Sequence, residues 1–251
     1  MDFNKIFQSL KKPSVVKAFL FILLYFLIMF LFSNLFLEEW FLKICENVSK
    51  INSANWSQST NCNISALYNL LIYIILFIPL LIGYSFELSH DYYHLVSTPL
   101  YKKFFLKSLG IFYLASIFGN LISNLIYSDS ESVNQITISV IVNNNIFCFA
   151  VMFITVGIIG PIVEELIFRQ AFFDIFQNKY ASIIISTIFF ASIHLTTSSG
   201  SLLYMVSISI PYLVSGLVFG IIYEKSHRNI WLTILVHGLS NIISLILIVL
   251  I

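Results

Sequence analysis

Charge is what this sequence lacks most. Only 10% of its 251 residues are Asp, Glu, Lys or Arg, against about 25% in an ordinary soluble domain. So few charges cannot cover a water-facing surface of this size. Cysteine is scarce too, and three of them cannot build the framework of a disulfide-rich secreted scaffold. The formal net charge is +1, so the chain lacks the basic footprint of a nucleic-acid binder, and no such partner is expected. Disorder is excluded by the opposite imbalance: 59% of the residues are hydrophobic, 16% are aromatic, and mean hydropathy is +0.93. What remains is an all-α, polytopic integral membrane protein whose first partner is the lipid bilayer.

A bilayer core needs about 20 apolar residues per helix. Runs of that kind fall at 18–37, 66–85, 109–126, 146–168, 180–197, 203–222 and 230–251, which predicts seven spans. Asn143, Asn144 and Asn145 interrupt the apolar run before the fourth and are expected at the membrane surface. Residues 169–178 should continue the fourth helix out of the bilayer. With the N-terminus in the cytoplasm, Lys43 and Lys50 are the only two of the 13 Lys and Arg residues that fall outside. That asymmetry follows the positive-inside rule and supports both the orientation and the odd number of spans. Phe3, Ile6, Phe7 and Leu10 repeat at helical spacing and suit a short amphipathic helix on the inner surface. The longest aqueous segment, 38–65, carries Cys45 and Cys62. A bridge there would close a loop in an oxidising compartment, although two cysteines in one loop are as readily free.

Ionisable groups within apolar helices are expensive and need a reason. Glu164, Glu165, Arg169, His194 and His237 fit that description, all in the last hundred residues. Asp is expected only outside the spans or at their ends. In EELIFR, Glu165 and Arg169 are i, i+4 with the acid first, the better orientation for a helical ion pair. Such a pair leaves Glu164 available. Glu164 and His194 each stand 15 residues from Lys179, ~22 Å along their helices, while His237 and Asn241 stand ~13 and ~20 Å beyond Arg228. One carboxylate, two imidazoles and an amide can therefore meet at one level. Gly157, Gly160 and Pro161 precede the glutamates and can bend the helix or admit a close neighbour.

A carboxylate in apolar surroundings can act as a base toward water, a histidine can hold that water or pass on its proton, and a second histidine with an asparagine can donate to an oxyanion. That set suits hydrolysis of an amide. Glu164, His194 and His237 are also ligand types for a catalytic zinc with water in the fourth position. No H-E-x-x-H helix and no serine elbow is present.

The same residues carry a resemblance. EELIFR at 164–169 is similar to an E-E-x-x-x-R motif, FASIH at 190–194 to F-x-x-x-H, and HGLSN at 237–241 to H-x-x-x-N. In that order, each on an apolar helix, they resemble the CPBP intramembrane proteases, which include type II CAAX prenyl endopeptidases and bacteriocin-processing or self-immunity proteins. The likeness covers roughly 146–245. It divides the chain into spans without motifs, 1–145, and a core, 146–251, within one membrane domain. It implies that Glu164 activates water with His194 assisting and that His237 and Asn241 stabilise the oxyanion. Glu165, Arg169 and Phe190 would support the site. It also implies a peptide or prenylated-protein substrate within the membrane. Gln170 departs from the small residue that often follows the Arg.

Metal dependence divides two versions of this chemistry. Asn241 sharing a helix face with His237 favours a donor pair over a lone ligand, so the expectation is catalysis without an obligatory metal, with zinc as the alternative. Two other classes fit the same residues: a proton-coupled small transporter, and a catalytically silent immunity or scaffold protein. An abundance of Ile, Phe, Asn and Lys hints at an AT-rich genome and hence a bacterial cell membrane.

Overall fold

The computed structural model describes residues 14–128 and 131–250. The amphipathic helix expected around Phe3 to Leu10 lies outside them. In lipid every backbone N–H and C=O must find its partner inside the segment, so a chain this apolar has helix as its economical solution. The described residues comply, being helical almost throughout with no strand.

The chain begins with α1 (Val15–Phe26), widens into a π-helical stretch (Leu27–Leu37) and continues without a break as α2 (Glu38–Ser49). Lys50 ends it in the left-handed conformation. The expected aqueous segment 38–65 is thus mostly helix, because α2 is an amphipathic extension of the first span and α3 (Gln58–Gly83) starts early, capped by Ser57. Then follow α4 (Ser85–Ser97), α5 (Leu100–Ile126), α6 (Val133–Val142) and α7 (Ile146–Ile154). Asn145 caps α7 by accepting from the Cys148 N–H at 2.9 Å, which explains the break at the asparagines. The helix runs on from α7 through a π turn (Thr155–Ile159), α8 (Gly160–Glu165), a second π turn (Leu166–Ala171) and α9 (Phe172–Ile175). The last three helices are α10 (Lys179–Leu195), α11 (Leu202–Lys225) and α12 (Ile230–Leu250).

Six helices among the described residues are long and apolar enough to cross a membrane. The remaining expected span, 180–197, is the 17-residue α10, just short of that length. Its ~26 Å nearly matches a hydrocarbon core of ~30 Å. The fourth span continues beyond residue 169 as expected, and it stays packed there: Arg169, Phe172, Phe173 and Asp174 are all buried within the continuous helix Ile146–Ile175. Asp174 stands at the end of that helix, but buried. Gln170 makes that tolerable, its amide lying 3.1 Å from both Asp174 oxygens while its own carbonyl accepts from Tyr223 at 2.9 Å.

Small residues bring the last helices close. Cβ atoms built on Gly216 and Gly220 of α11 would stand 3.2 and 3.3 Å from Thr187 and Ile183 of α10, so the G-x-x-x-G spacing marks a packed face. Between α5 and α11, Ser123 and Ser207 bond reciprocally to each other's carbonyls at 2.8 Å. The main apolar core draws on both halves of the chain, with Tyr25, Leu76 and Leu80 meeting Phe168, Phe190 and Phe219. A smaller cluster holds Cys62 and Cys148. Cys45, Cys62 and Cys148 are all free, so the Cys45–Cys62 bridge is not formed; α2 and α3 place the two cysteines on separate helices.

The inner segment between the second and third spans also departs from a loop. Helix α4 buries Glu87 and Asp91. Glu87 pairs with Lys17 of α1 at 2.5 Å. The Asp91 carboxylate accepts from the Ile230 N–H at 2.9 Å, its backbone carbonyl accepts from Asn229, and Trp231 donates to Leu88 O at 2.7 Å. An orphan N–H at the start of α12 is thereby satisfied, and a carboxylate sits at the positive end of the helix that carries His237.

Candidate active site

The site is assembled on α8 and completed by α3, α10, α11 and α12. Two π turns bracket the consecutive glutamates, and such wide turns recur at functional positions because they re-aim side chains. Glu164 and Glu165 diverge by one residue's rotation yet reach the same imidazole. His237 Nδ1 lies 2.9 Å from Glu165 Oε1, and His237 Nε2 lies 3.7 Å from Glu164 Oε2. The first distance is a hydrogen bond; the second is too long for one. Donation from Nδ1–H to Glu165 orients the ring and turns Nε2 toward Glu164. The other Glu165 oxygen stands 3.1 Å from Arg169 Nε, so the expected i, i+4 ion pair is present, with neither side chain reached by solvent. The Arg169 guanidinium also lies over the rings of Phe190 and Phe219, at 5.2 and 5.8 Å.

Glu164 is engaged from the other side by a residue without a motif. Tyr73, on α3, donates its hydroxyl to Glu164 Oε1 at 2.7 Å. Nearby Tyr25, on α1, is fully buried, packs edge-on against Phe168, and has no hydrogen-bond partner for its hydroxyl among the described residues.

The motif residues meet unequally. Glu164, Glu165, Arg169 and His237 form one contiguous group. Phe190 joins it as an aromatic wall, with ring centres 5.9 Å from His237 and 4.9 Å from His194. His194 reaches the group through that ring. Its imidazole stacks on Tyr212 at 4.6 Å, and its Nε2 is buried without a hydrogen-bond partner among the described residues. Asn241 lies one turn beyond His237 and donates to the Val156 carbonyl at 2.9 Å, within the first π turn. Gly238 permits this approach, since a Cβ there would stand 2.9 Å from the Gly157 carbonyl oxygen.

Tyr73, Phe219 and Gly238 did not stand out in the sequence. Tyr73 is one of 13 tyrosines, and Phe219, stacked on His237 at 4.5 Å, is one of 25 phenylalanines. Gly238 sits inside the third motif, where its small size was a readable signal. The zinc alternative needs His194 as a third donor beside Glu164 and His237. Among the described residues no three His, Cys, Asp or Glu side chains converge as a metal-holding set, so no step below is routed through a metal.

The fold and site define a multi-pass helical membrane protein with a buried carboxylate–imidazole–guanidinium centre. Residues 146–243 match the family described as type II CAAX prenyl endopeptidase Rce1-like, which bears out the resemblance to CPBP intramembrane proteases. An uncharacterized protein of Mycoplasma capricolum subsp. capricolum is 34% identical over 104 residues, 41% of this chain and 29% of that relative. The chain therefore spans less than a third of the length of the curated relative it matches. No solved structure matches the chain.

Proposed function

We propose that the protein is an intramembrane endopeptidase that hydrolyses a peptide bond in a prenylated or otherwise membrane-associated substrate, in peptide processing or in immunity to such a peptide. The observation that carries this reading is the buried Glu164 carboxylate facing His237 Nε2 at 3.7 Å. One water beside that pair can contact both groups. Glu164 takes a proton from the water as its oxygen adds to the scissile carbonyl carbon. The resulting oxyanion accepts from His237 and from Asn241, whose amide retains one N–H beyond the one given to Val156. The proton held by Glu164 passes to the departing nitrogen, the C–N bond breaks, and a carboxylic acid and an amine result. His194 assists by holding the water, a role supported by its buried, unpartnered Nε2. Glu165 and Arg169 hold the His237 ring in orientation.

The test uses the full chain in proteoliposomes with a farnesylated peptide ending in a CAAX-type sequence. Cleavage by the native protein, and none by Glu164→Gln at equal folded yield, supports the reading. Equal cleavage by both, or none by either, overturns it. We further propose that no metal is obligatory. Chelation should leave turnover intact; stoichiometric zinc on elemental analysis, with turnover lost on chelation and restored by zinc, would overturn this.

A further inference from the structure

We infer that Tyr73, in the second span and outside the family segment 146–243, is the positioning residue for the Glu164 base. The inference rests on the endopeptidase reading for its consequence, but its physical core is independent of it.

A buried carboxylate has two oxygens and a rotatable terminal torsion, so a base built from it needs something to choose which oxygen faces the substrate. On α8 nothing does so, because the Arg169 guanidinium is committed to Glu165. Tyr73 makes the choice. Its hydroxyl donates to Oε1 at 2.7 Å, which leaves Oε2 toward His237. Tyr73 reaches the site from α3, so the carboxylate is pinned between two helices far apart in sequence. A Cβ built on Gly160, one turn before Glu164, would stand 3.5 Å from the Tyr73 ring, in ordinary contact, so the ring lies directly against α8. Hydroxyl donation also replaces part of the hydration that the carboxylate loses in the bilayer interior. Removing the oxygen alone, by Tyr73→Phe, keeps the packing and deletes the choice.

The test compares the native protein, Tyr73→Phe and Glu164→Gln, each full-length in proteoliposomes. Two measurements are made: steady-state cleavage of the farnesylated peptide, and modification of Glu164 by a hydrophobic carbodiimide, read by mass spectrometry. Tyr73→Phe is expected to lower kcat at least tenfold with KM within twofold, and to raise labelling of Glu164 severalfold, because the carboxyl has lost its donor. Glu164→Gln is the blank for both. An unchanged kcat in Tyr73→Phe overturns the inference. Unchanged labelling overturns it as well, whether or not the peptide is cleaved. If labelling rises but the native protein cleaves nothing, the endopeptidase reading falls and the clamp on Glu164 stands. A rise in KM alone would make Tyr73 a substrate contact and would also overturn the inference.

Discussion

The first three membrane-length helices and the last three are alike in length and apolar character, yet they are surrounded differently. Over an 18-residue apolar stretch of each, buried residues make up 11%, 22% and 17% in the first three and 44%, 39% and 44% in the others. On α1 and α5, Phe19, Leu20, Leu114, Phe118 and Leu125 face outward in number, a surface suited to lipid. The fourth and last spans are wrapped by protein and carry Glu164, Glu165, Arg169 and His237. Apolar composition therefore marks a span but not its place in the bundle; an ionisable residue does, because its cost restricts it to an interior with partners. The same contrast appears in two ion pairs of identical i, i+4 spacing. Glu39–Lys43 lies exposed on α2, whereas Glu165–Arg169 is sealed at 0% exposure.

The largest expected effect that sharpens this contrast is on turnover. Glu164→Gln should reduce cleavage of the farnesylated peptide by ~100-fold or more, the scale of a lost general base, with folded yield unchanged. Next, Arg169→Ala should destabilise the bundle by ~3–5 kcal/mol, because Glu165 is left charged and buried without its cation. Thermal unfolding in detergent and membrane yield read this, and a native-like melting temperature would show that Glu165 does not depend on the pair. Gly238→Ala should cost ~1–3 kcal/mol by pushing α12 off the Gly157 carbonyl. It should lower activity in step with the displacement of His237, and full activity at native stability would contradict the close approach. The smallest effect belongs to Glu39→Gln, expected to leave stability at neutral pH unchanged, since exposed pairs are screened and entropically costly. The Lys43 ammonium bonded to Glu39 holds that carboxyl below the usual carboxylate range. Any stability the pair contributes is present above that range and is lost as pH falls through the lowered value. A clear loss of melting temperature in Glu39→Gln at pH 7 would break the comparison.

Much of the architecture was legible because lipid makes simple demands. Long apolar runs became helices, the asparagines before residue 146 became a cap, and Gly216 with Gly220 became a packing face. Helical heights put the motif residues near one level, but did not show which of them would meet: Glu164 was level with His194 and instead approaches His237 from between two π turns. What was not legible depended on three-dimensional neighbours. Tyr73 carries no local signal and acquires its role only from α3 lying against α8. Glu87 and Asp91 looked like loop charges, since nothing nearby in sequence reveals that α4 folds under α12 and caps it. Asp174 was expected outside the spans or at an end, but its burial against Gln170 carried no signal in the sequence. The free cysteines were ambiguous for the same reason: loop length says nothing about a helix that continues past the membrane edge.

The two π turns around Glu164 and Glu165 have a consequence for phase. Each wide turn takes in an additional residue, and one residue is about 100° of rotation on an α-helix. The faces before Thr155 and after Ala171 therefore run out of step with a single helical wheel drawn through residues 146 to 175. The glutamates occupy the short stretch between the two offsets, so their heading is set independently of the lipid-facing and core-facing stripes on either side. Rewinding Thr155–Ile159 as ordinary α-helix without removing a residue would turn both carboxylates by about 100° away from His237 while leaving them in the chain. In this molecule the winding of the residues before the glutamates matters as much as their identity.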